Sequence, residues 1–187
     1  MTTTTTTDFS TLTGTYAIDP SHSRLGFVAR HAMVTKVRGS FNEFDGTATI
    51  DGDNPSNSSV HVTIQVASID TRNQQRDDHI RTNDFLDVEK YPQITFTSTS
   101  ITHDGGNDFE VTGDLTIRGV TKSVTLPLEF QGSATDPFGN ARVGFEGSLV
   151  INRKDWGVNW NAALEAGGVL VSEKVTLEFE ISAVKAA

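Results

Sequence analysis

A run of charged residues in the middle of the chain is the strongest candidate for catalytic chemistry. Its members are Arg76, Asp77, Asp78, His79, Arg81, Asp84, Asp87 and Glu89. A histidine beside a carboxylate can act as a general base that the carboxylate orients. On a helix, however, Asp77 and His79 are two positions apart and do not share a face. We therefore expect the charged residues mainly to form ion pairs, for example between Arg76 and Asp84, and catalysis by His79 and Asp77 is the alternative.

Other groups that could perform chemistry are isolated along the chain. The absence of cysteine excludes disulfides, thiolate metal ligands and a cysteine nucleophile. No two of the five histidines have the His-x-x-x-His spacing that places both imidazoles on one face of a helix. The chain also lacks a Gly-x-Ser-x-Gly motif and a glycine-rich phosphate loop. The sequence therefore predicts no catalytic residue, no metal site and no cofactor.

Charge and hydropathy exclude two further classes of partner. The chain has 24 Asp and Glu against 15 Lys and Arg, a net charge of −9, so binding of nucleic acid phosphates is not expected. No apolar stretch approaches the roughly 18 residues of a membrane span. The Thr-rich beginning has neither the basic nor the apolar part of a secretory signal. We expect a disordered tail over residues 1–13, a single domain over residues 14–187, and localisation in the cytoplasm.

Most of that domain has the two-residue periodicity of β-strands. Apolar and polar residues alternate over residues 60–66, 124–130, 143–151 and 175–181. This alternation is typical of antiparallel strands with one buried face. Turns rich in Asp, Asn and Gly separate the strands, which predicts a sandwich or a barrel.

The alternation stops between residues 69 and 91, where the charged run lies. Thr71 and Gln74 have the spacing of a capping box, which predicts a helix over residues 72–82. We therefore expect a short helical insertion over about residues 71–88 between two strands.

The aromatic residues are the candidates for the interior. Eleven Phe stand against two Trp and two Tyr, and the Phe residues are spread over nearly every expected strand. An eight-stranded barrel is near the size at which its interior either fills with side chains or holds one small ligand. Phenylalanine requires no hydrogen bond and therefore suits a hydrocarbon ligand. Composition alone leaves both a filled core and a cavity open.

Several motifs carry a resemblance to a known family. They are Asp-Pro-Ser-His-Ser at 19–23, Phe-Val-Ala-Arg-His at 27–31, Arg-Gly-Ser-Phe at 38–41, Arg-Asp-Asp-His-Ile at 76–80, Asp-Phe-Leu-Asp-Val-Glu-Lys-Tyr-Pro at 84–92, Gly-Asp-Leu-Thr-Ile-Arg-Gly-Val-Thr-Lys at 113–122 and Arg-Lys-Asp-Trp-Gly at 153–157. In this order and spacing, over about residues 15–185, they resemble the YceI-like family.

The resemblance implies an all-β fold, an extended antiparallel eight-stranded lipocalin-like barrel with a helical insertion. Members of the family are described as binding polyisoprenoid chains, including quinone-type lipids, inside the barrel, without established catalytic activity. The resemblance therefore favours non-catalytic binding, sequestration or transport of a long apolar isoprenoid or quinone-type lipid. The alternatives are a hydrolase or isomerase that uses His79 and Asp77, and a filled barrel that serves as a stress-response interaction module. A homodimer is compatible with such a barrel.

Candidate ligand-binding residues follow from this interpretation. We expect the pore to be lined by Phe27, Phe41, Phe44, Phe96, Phe130, Phe145 and Trp156. The expected polar residues at its mouth are His31, Arg76 and His79. Members of the family usually have Phe where this chain has Trp156, so we expect a cavity of altered shape.

Overall fold

The structure, a computed structural model, describes residues 8–165 and 167–187, and these ranges contain eleven β-strands and one α-helix. The strands are β1 (Gly14–Ile18), β2 (Arg24–His31), β3 (Thr35–Phe41), β4 (Phe44–Ile50), β5 (Ser59–Gln65), β6 (Ile69–Asp70), β7 (Gln93–His103), β8 (Asp108–Ile117), β9 (Val120–Thr135), β10 (Ala141–Asn152) and β11 (Lys174–Lys185). The helix is α1 (Gln74–Arg81).

The strands form one antiparallel sheet that closes on itself. The order β1-β4-β5-β7-β8-β9-β10-β11 is completed by pairing of β1 with β11, in which Tyr16 lies opposite Lys185. The remaining strands lengthen this ring: β2 pairs with β11 beyond β1, β3 pairs with β2, and β6 pairs with β3. The short strands therefore combine into longer interrupted ones. The predicted eight-stranded lipocalin-like barrel is confirmed.

The connections between strands lie at two opposite ends of the barrel. The upper end carries the β2–β3 connection (residues 32–34), the insertion (residues 71–92), the β8–β9 turn (residues 118–119) and the β10–β11 connection (residues 153–173). The lower end carries residues 8–13, the β4–β5 connection (residues 51–58), the β7–β8 turn (residues 104–107) and the β9–β10 turn (residues 136–140).

The expected helical insertion is present, but its helix begins differently from the prediction. The N-cap is Asn73, whose side-chain oxygen accepts a hydrogen bond from Arg76 N at 3.0 Å. The predicted capping box of Thr71 and Gln74 is wrong, because Arg72 has a left-handed φ of 66° and breaks the helical path between them. Thr71 instead donates to the carboxylate of Asp77.

Part of the expected tail is ordered. Ser10–Leu12 form a 3₁₀-helix, and the side chains of Phe9 and Leu12 are buried at the lower end. Their spacing of three residues places both on one side of the turn, where they cover apolar surface that would otherwise contact water. This corrects the tail boundary for residues 8–13. Residues 1–7 lie outside the described residues, so their expected disorder stays a prediction.

Candidate functional site

The barrel encloses a cavity of about 240 Å³. Inward-facing aliphatic and aromatic side chains of the strands form its wall, among them Ile18, Leu25, Ile94, Leu115, Leu177 and Phe179. Alternation of the strands explains this wall, because every second residue points to the barrel interior. The interior is therefore not completely filled by side chains.

Ionisable side chains are scarce in the cavity wall. Among its described residues only Asp51 and Glu178 are ionisable. Asp51 accepts a hydrogen bond from Asn54 N at 2.9 Å within the β4–β5 connection, and Glu178 accepts one from Arg24 at 3.3 Å. Because both carboxylates are engaged with other protein groups, the cavity suits an apolar guest and offers little for acid–base chemistry.

The expected pore residues divide into two groups. Phe41, Phe96 and Phe145 lie in the cavity wall. Phe27 and Phe44 are not wall residues. The Phe27 ring lies 6.0 Å from that of Phe41, and Phe44 is buried against Ile18 and Leu25.

Phe130 and Trp156 also lie outside the wall. Phe130 packs at the lower end, with its ring 5.4 Å from that of Phe145. Trp156 is buried, and its Nε1 donates to the carbonyl of Leu115 at 3.0 Å. The indole needs this partner because a buried N–H without one is costly.

Several wall residues were missing from the expected set. Phe109 and Phe179 line the cavity, and so do Phe9 and Leu12 of the N-terminal segment. The two-residue alternation marks Phe179 as inward-facing. Nothing in the Thr-rich beginning marks Phe9 as a core residue.

Phe9 and Leu12 close the lower end, and we call them the end plug. The ring of Phe9 makes edge-on contacts with His103, Phe109 and Phe130 at centroid distances of 5.2, 5.4 and 5.3 Å. The chain approaches so closely here that a Cβ at Gly52 would overlap the carbonyl oxygen of Phe9.

Two hydrogen bonds accompany the end plug. The buried hydroxyl of Tyr16 donates to the carbonyl of Leu12 at 2.9 Å. The amide of Gly52 donates to Thr13 Oγ1, also at 2.9 Å.

Buried polar groups attach the insertion at the upper end of the barrel. Asp77 is buried and accepts hydrogen bonds from the amide and hydroxyl of Thr71 at 2.9 and 2.5 Å. Arg76, an expected mouth residue, donates to Thr71 Oγ1 and to its carbonyl, both at 2.7 Å. Arg76 therefore holds the start of the insertion, and the expected ion pair between Arg76 and Asp84 is wrong.

The remaining expected mouth residues also have structural partners. His79 Nε2 lies 2.8 Å from Asp84 Oδ2, and the imidazole packs edge-on against Phe85 and Trp160 at 5.1 and 4.7 Å. His31 is exposed, and its backbone pairs with that of Val171. None of these residues contacts the cavity.

The catalytic alternative requires His79 and Asp77 to act together. Their side chains bind different partners, Asp84 and Thr71 respectively, and neither lies in the cavity wall. The geometry assigns both residues to the attachment of the insertion.

Two strongly perturbed carboxylates lie on the outer surface. Hydrogen bonds from Ser21, Arg142 and His22 hold the pKa of Asp19 well below its usual range. Hydrogen bonds from Arg142 and from the amide of Asn140 do the same for the pKa of Asp136. Arg142 thus links the β1–β2 junction to the β9–β10 turn, at 2.8 Å from each carboxylate.

In residues 8–165 and 167–187, no group of three or more His, Asp or Glu side chains is placed to hold a metal ion. No helix in the same ranges has the length and apolar character needed to cross a bilayer.

Comparison with known proteins gives consistent matches. A family model described as the YceI-like domain matches residues 16–183. "Protein YceI" of Escherichia coli O17:K52:H18 is 44% identical over 151 residues, which cover 80% of this chain and 78% of that protein. The crystal structure of BcnA from Burkholderia cenocepacia superposes with a TM-score of 0.78 at 28% identity, covering 88% of this chain and 98% of that one.

A second solved structure supports the fold. It is a polyisoprenoid binding domain from Saccharophagus degradans, implicated in plant cell wall breakdown. The TM-score is 0.69 at 16% identity, with 91% of this chain and 98% of that chain covered.

Proposed function

The chain belongs to the YceI-like domain family, and from this premise we propose that it binds a long apolar isoprenoid or quinone-type lipid in the barrel without catalysing a reaction. The observation that carries the proposal is the cavity of about 240 Å³ with its wall of hydrocarbon side chains. The name of the related domain from Saccharophagus degradans, a polyisoprenoid binding domain, points to the same class of ligand.

Burial of hydrocarbon supplies the free energy of binding. Each buried methylene contributes about 0.8 kcal/mol, so a prenyl segment of about ten buried carbons contributes roughly 8 kcal/mol. This is comparable with the roughly 4–15 kcal/mol that association costs in lost freedom. Additional buried carbons therefore raise the affinity steeply, and the length of chain that the cavity accepts controls binding.

The size of the cavity limits that length. Its volume of about 240 Å³ is below the roughly 300 Å³ at the small end of typical ligand pockets. We propose that a short prenyl chain binds with the end plug in place. A longer chain binds fully only when Phe9 and Leu12 move aside, because these two side chains form the lower wall.

The cavity also favours binding over the two alternatives. A site for one water needs about 10–15 Å³, so this interior is much larger than the packing defects of a filled barrel. A hydrolase or isomerase would need a free acid or base beside the substrate, whereas Asp51 and Glu178 are engaged with other groups. Localisation in the cytoplasm and formation of a homodimer stay predictions from the sequence.

Native mass spectrometry tests the proposal directly. The purified protein is mixed with prenyl alcohols and quinones of increasing chain length, and bound mass is measured with and without solvent extraction. We expect one bound ligand per barrel. Uptake of no prenyl lipid, quinone or fatty acid at micromolar concentration would contradict the proposal.

A pair of variants locates the bound ligand. Ala48 lines the cavity, so Ala48→Phe should fill part of it and weaken binding at least about tenfold, since the displaced hydrocarbon contacts are lost. Val150 is 57% exposed on β10, so Val150→Phe adds the same ring outside the barrel and should leave binding unchanged. Equal effects of the two variants would place the ligand outside the cavity.

A further inference from the structure

The tip of the β2–β3 hairpin exposes apolar side chains at the upper end. Met33 and Val34 are 64% and 74% exposed. Val169, in the neighbouring β10–β11 connection, is also exposed, and Gly168 beside it lies close to Met33 Sδ. These three exposed apolar side chains define a small patch, which we call the hairpin tip.

The backbone of the hairpin tip is strained. Val34 N donates to the carbonyl of His31 at 3.0 Å, which closes a four-residue turn. Its central residues, Ala32 and Met33, have left-handed φ values of 50° and 62°. Glycine, asparagine or aspartate normally occupies both positions of such a turn, because other residues adopt this conformation at a cost. The turn therefore presents a bulky apolar side chain to solvent in an unfavourable conformation.

Unpaired cations lie directly behind the hairpin tip. Arg30 is opposite Lys36 in the β2–β3 pairing, Arg38 lies two residues further along β3, and all three are exposed. Like charges in directly opposed positions repel each other. Over the described ranges, none of the three side chains forms an ion pair. These three exposed cations therefore favour contact with an anionic partner.

The charge of this region also differs from that of the rest of the chain. Residues 20–42 contain four of the fifteen Lys and Arg residues and none of the 24 Asp and Glu residues. In the adjoining β10–β11 connection, Glu173 is paired with Lys154 at 2.8 Å, and Asp155 and Glu165 are exposed. Charges beyond the Debye length, about 8 Å at physiological salt, act weakly. The positive charge of residues 20–42 therefore acts on a partner at the hairpin itself, despite the net charge of −9.

An apolar tip surrounded by cations suits one kind of partner in particular. A stable protein interface needs about 800 Å² on each side, which is more than a hairpin tip of three apolar side chains offers. Anionic lipid headgroups attract nearby Lys and Arg residues, and apolar side chains between them enter the boundary of the acyl chains.

We propose that the β2–β3 hairpin is a docking site for the surface of an anionic lipid bilayer. Met33 and Val34 enter the headgroup region, and Arg30, Lys36 and Arg38 contact lipid phosphates. Docking does not depend on which molecule occupies the cavity, so it goes beyond the proposed function and is tested separately.

Sedimentation with lipid vesicles tests the proposal on the full chain. Vesicles of phosphatidylcholine with phosphatidylglycerol should bind the protein at low salt, and vesicles of phosphatidylcholine alone should bind it much less. Removing the cations one by one with Arg30→Gln, Lys36→Gln and Arg38→Gln should weaken binding about fivefold each. Phe138→Ser is the matched control, because Phe138 is 89% exposed but lies at the lower end, and its replacement should leave vesicle binding unchanged.

A second variant separates docking from a structural role. Ala32→Asn combined with Met33→Gly supplies the residues that this turn prefers and removes the methionine side chain. It should raise the melting temperature, because the turn is relieved of strain. It should also weaken binding to the anionic vesicles about tenfold, since the hydrocarbon that Met33 buries in the lipid is lost. Unchanged vesicle binding in this variant would overturn the insertion of Met33.

Two further outcomes would overturn the proposal as a whole. One is equal binding to vesicles with and without phosphatidylglycerol, or no binding to either at low salt. The other is a homodimer that Met33→Ser dissociates without any vesicle binding, which would make the hairpin tip an interface between copies of this chain.

Discussion

The two ends of the barrel are closed by different kinds of interaction. At the lower end, Phe9 and Leu12 cover the cavity mainly through apolar contacts with aromatic rings. At the upper end, arginine side chains bind backbone carbonyls: Arg76 that of Thr71, Arg81 that of Ile69, and Arg118 that of Phe85, at 2.7, 3.0 and 2.6 Å. The lower closure is mainly a hydrocarbon surface, whereas the upper closure adds a network of charge-assisted hydrogen bonds to the apolar packing of Leu86, Val88 and Trp156.

This difference separates stability from ligand accommodation. A hydrocarbon ligand can replace the contacts that Phe9 and Leu12 make with the barrel, because apolar contact is not directional. No apolar ligand can replace the partners of a guanidinium or a buried carbonyl, and leaving such groups unpaired costs free energy. The upper closure should therefore control stability, and the lower closure should control ligand length.

The largest expected effect is on the upper closure. Asp77→Ala removes the acceptor of both Thr71 hydrogen bonds and should lower the free energy of unfolding by about 2–4 kcal/mol. Urea denaturation measures this. Asp78→Ala is the control, because Asp78 pairs with Arg81 at the surface, and its loss should cost less than about 1 kcal/mol. Similar losses for both variants would contradict the importance of the buried network.

The next effect concerns the lower closure. Phe9→Ala combined with Leu12→Ala extends the open interior and should shift the preferred ligand to longer prenyl chains. We expect affinity for a longer chain to rise about tenfold relative to a short one, since each additional buried methylene contributes about 0.8 kcal/mol. Dissociation constants measured over a series of chain lengths check this. An unchanged length profile, with binding retained, would show that the end plug does not limit the ligand.

A backbone variant sharpens the same point. Gly52→Ala places a Cβ where the carbonyl oxygen of Phe9 lies, and so should displace the end plug with its side chains intact. It should reproduce the shift to longer chains, with increased protease cleavage near residues 8–13. Gly106→Ala, in another turn of the lower end, has room for its Cβ and should change neither property. A length shift in both variants would argue against displacement of the end plug.

A pH dependence is the smallest expected effect. Asp19 and Asp136 have lowered pKa values, with Arg142 among the causes at both. Their contribution to stability is therefore present above the unfolded pKa, about 4, and is lost as pH falls toward the lower folded values. The difference in melting temperature between the native protein and Arg142→Gln should be greatest near neutral pH and shrink below about pH 4. A difference that grows on acidification would contradict the assigned sign.

The two ends also differ in how far the sequence predicts them. Alternation predicts the strands and its interruption predicts the insertion, whereas the barrel, rather than a sandwich, was implied by the resemblance of the motifs to the YceI-like family. The partners of Asp77 and His79 depend on how residues 71–92 fold back, and the left-handed Arg72 has no simple sequence signature. Phe9 lies in a Thr-rich segment without periodicity, so its burial depends on an opening that only the folded barrel creates.

The cavity wall was predicted in part for a related reason. Alternation identifies which residues share a face, but not which face is inside; Phe96 and Phe145 lie in the cavity wall. Alternation also does not show which inward side chains pack against each other at the ends, as Phe130 does at the lower end. Wall and end positions are distinguished by their height along the barrel axis, which depends on strand register.

A crystal structure of the protein grown with a short prenyl alcohol tests the central claim most directly. We expect continuous density for the prenyl chain inside the barrel, in contact with Phe96 and Leu177 and ending against Phe9 and Leu12. An interior without ligand density, with the prenyl chain bound only at the outer surface, would contradict it.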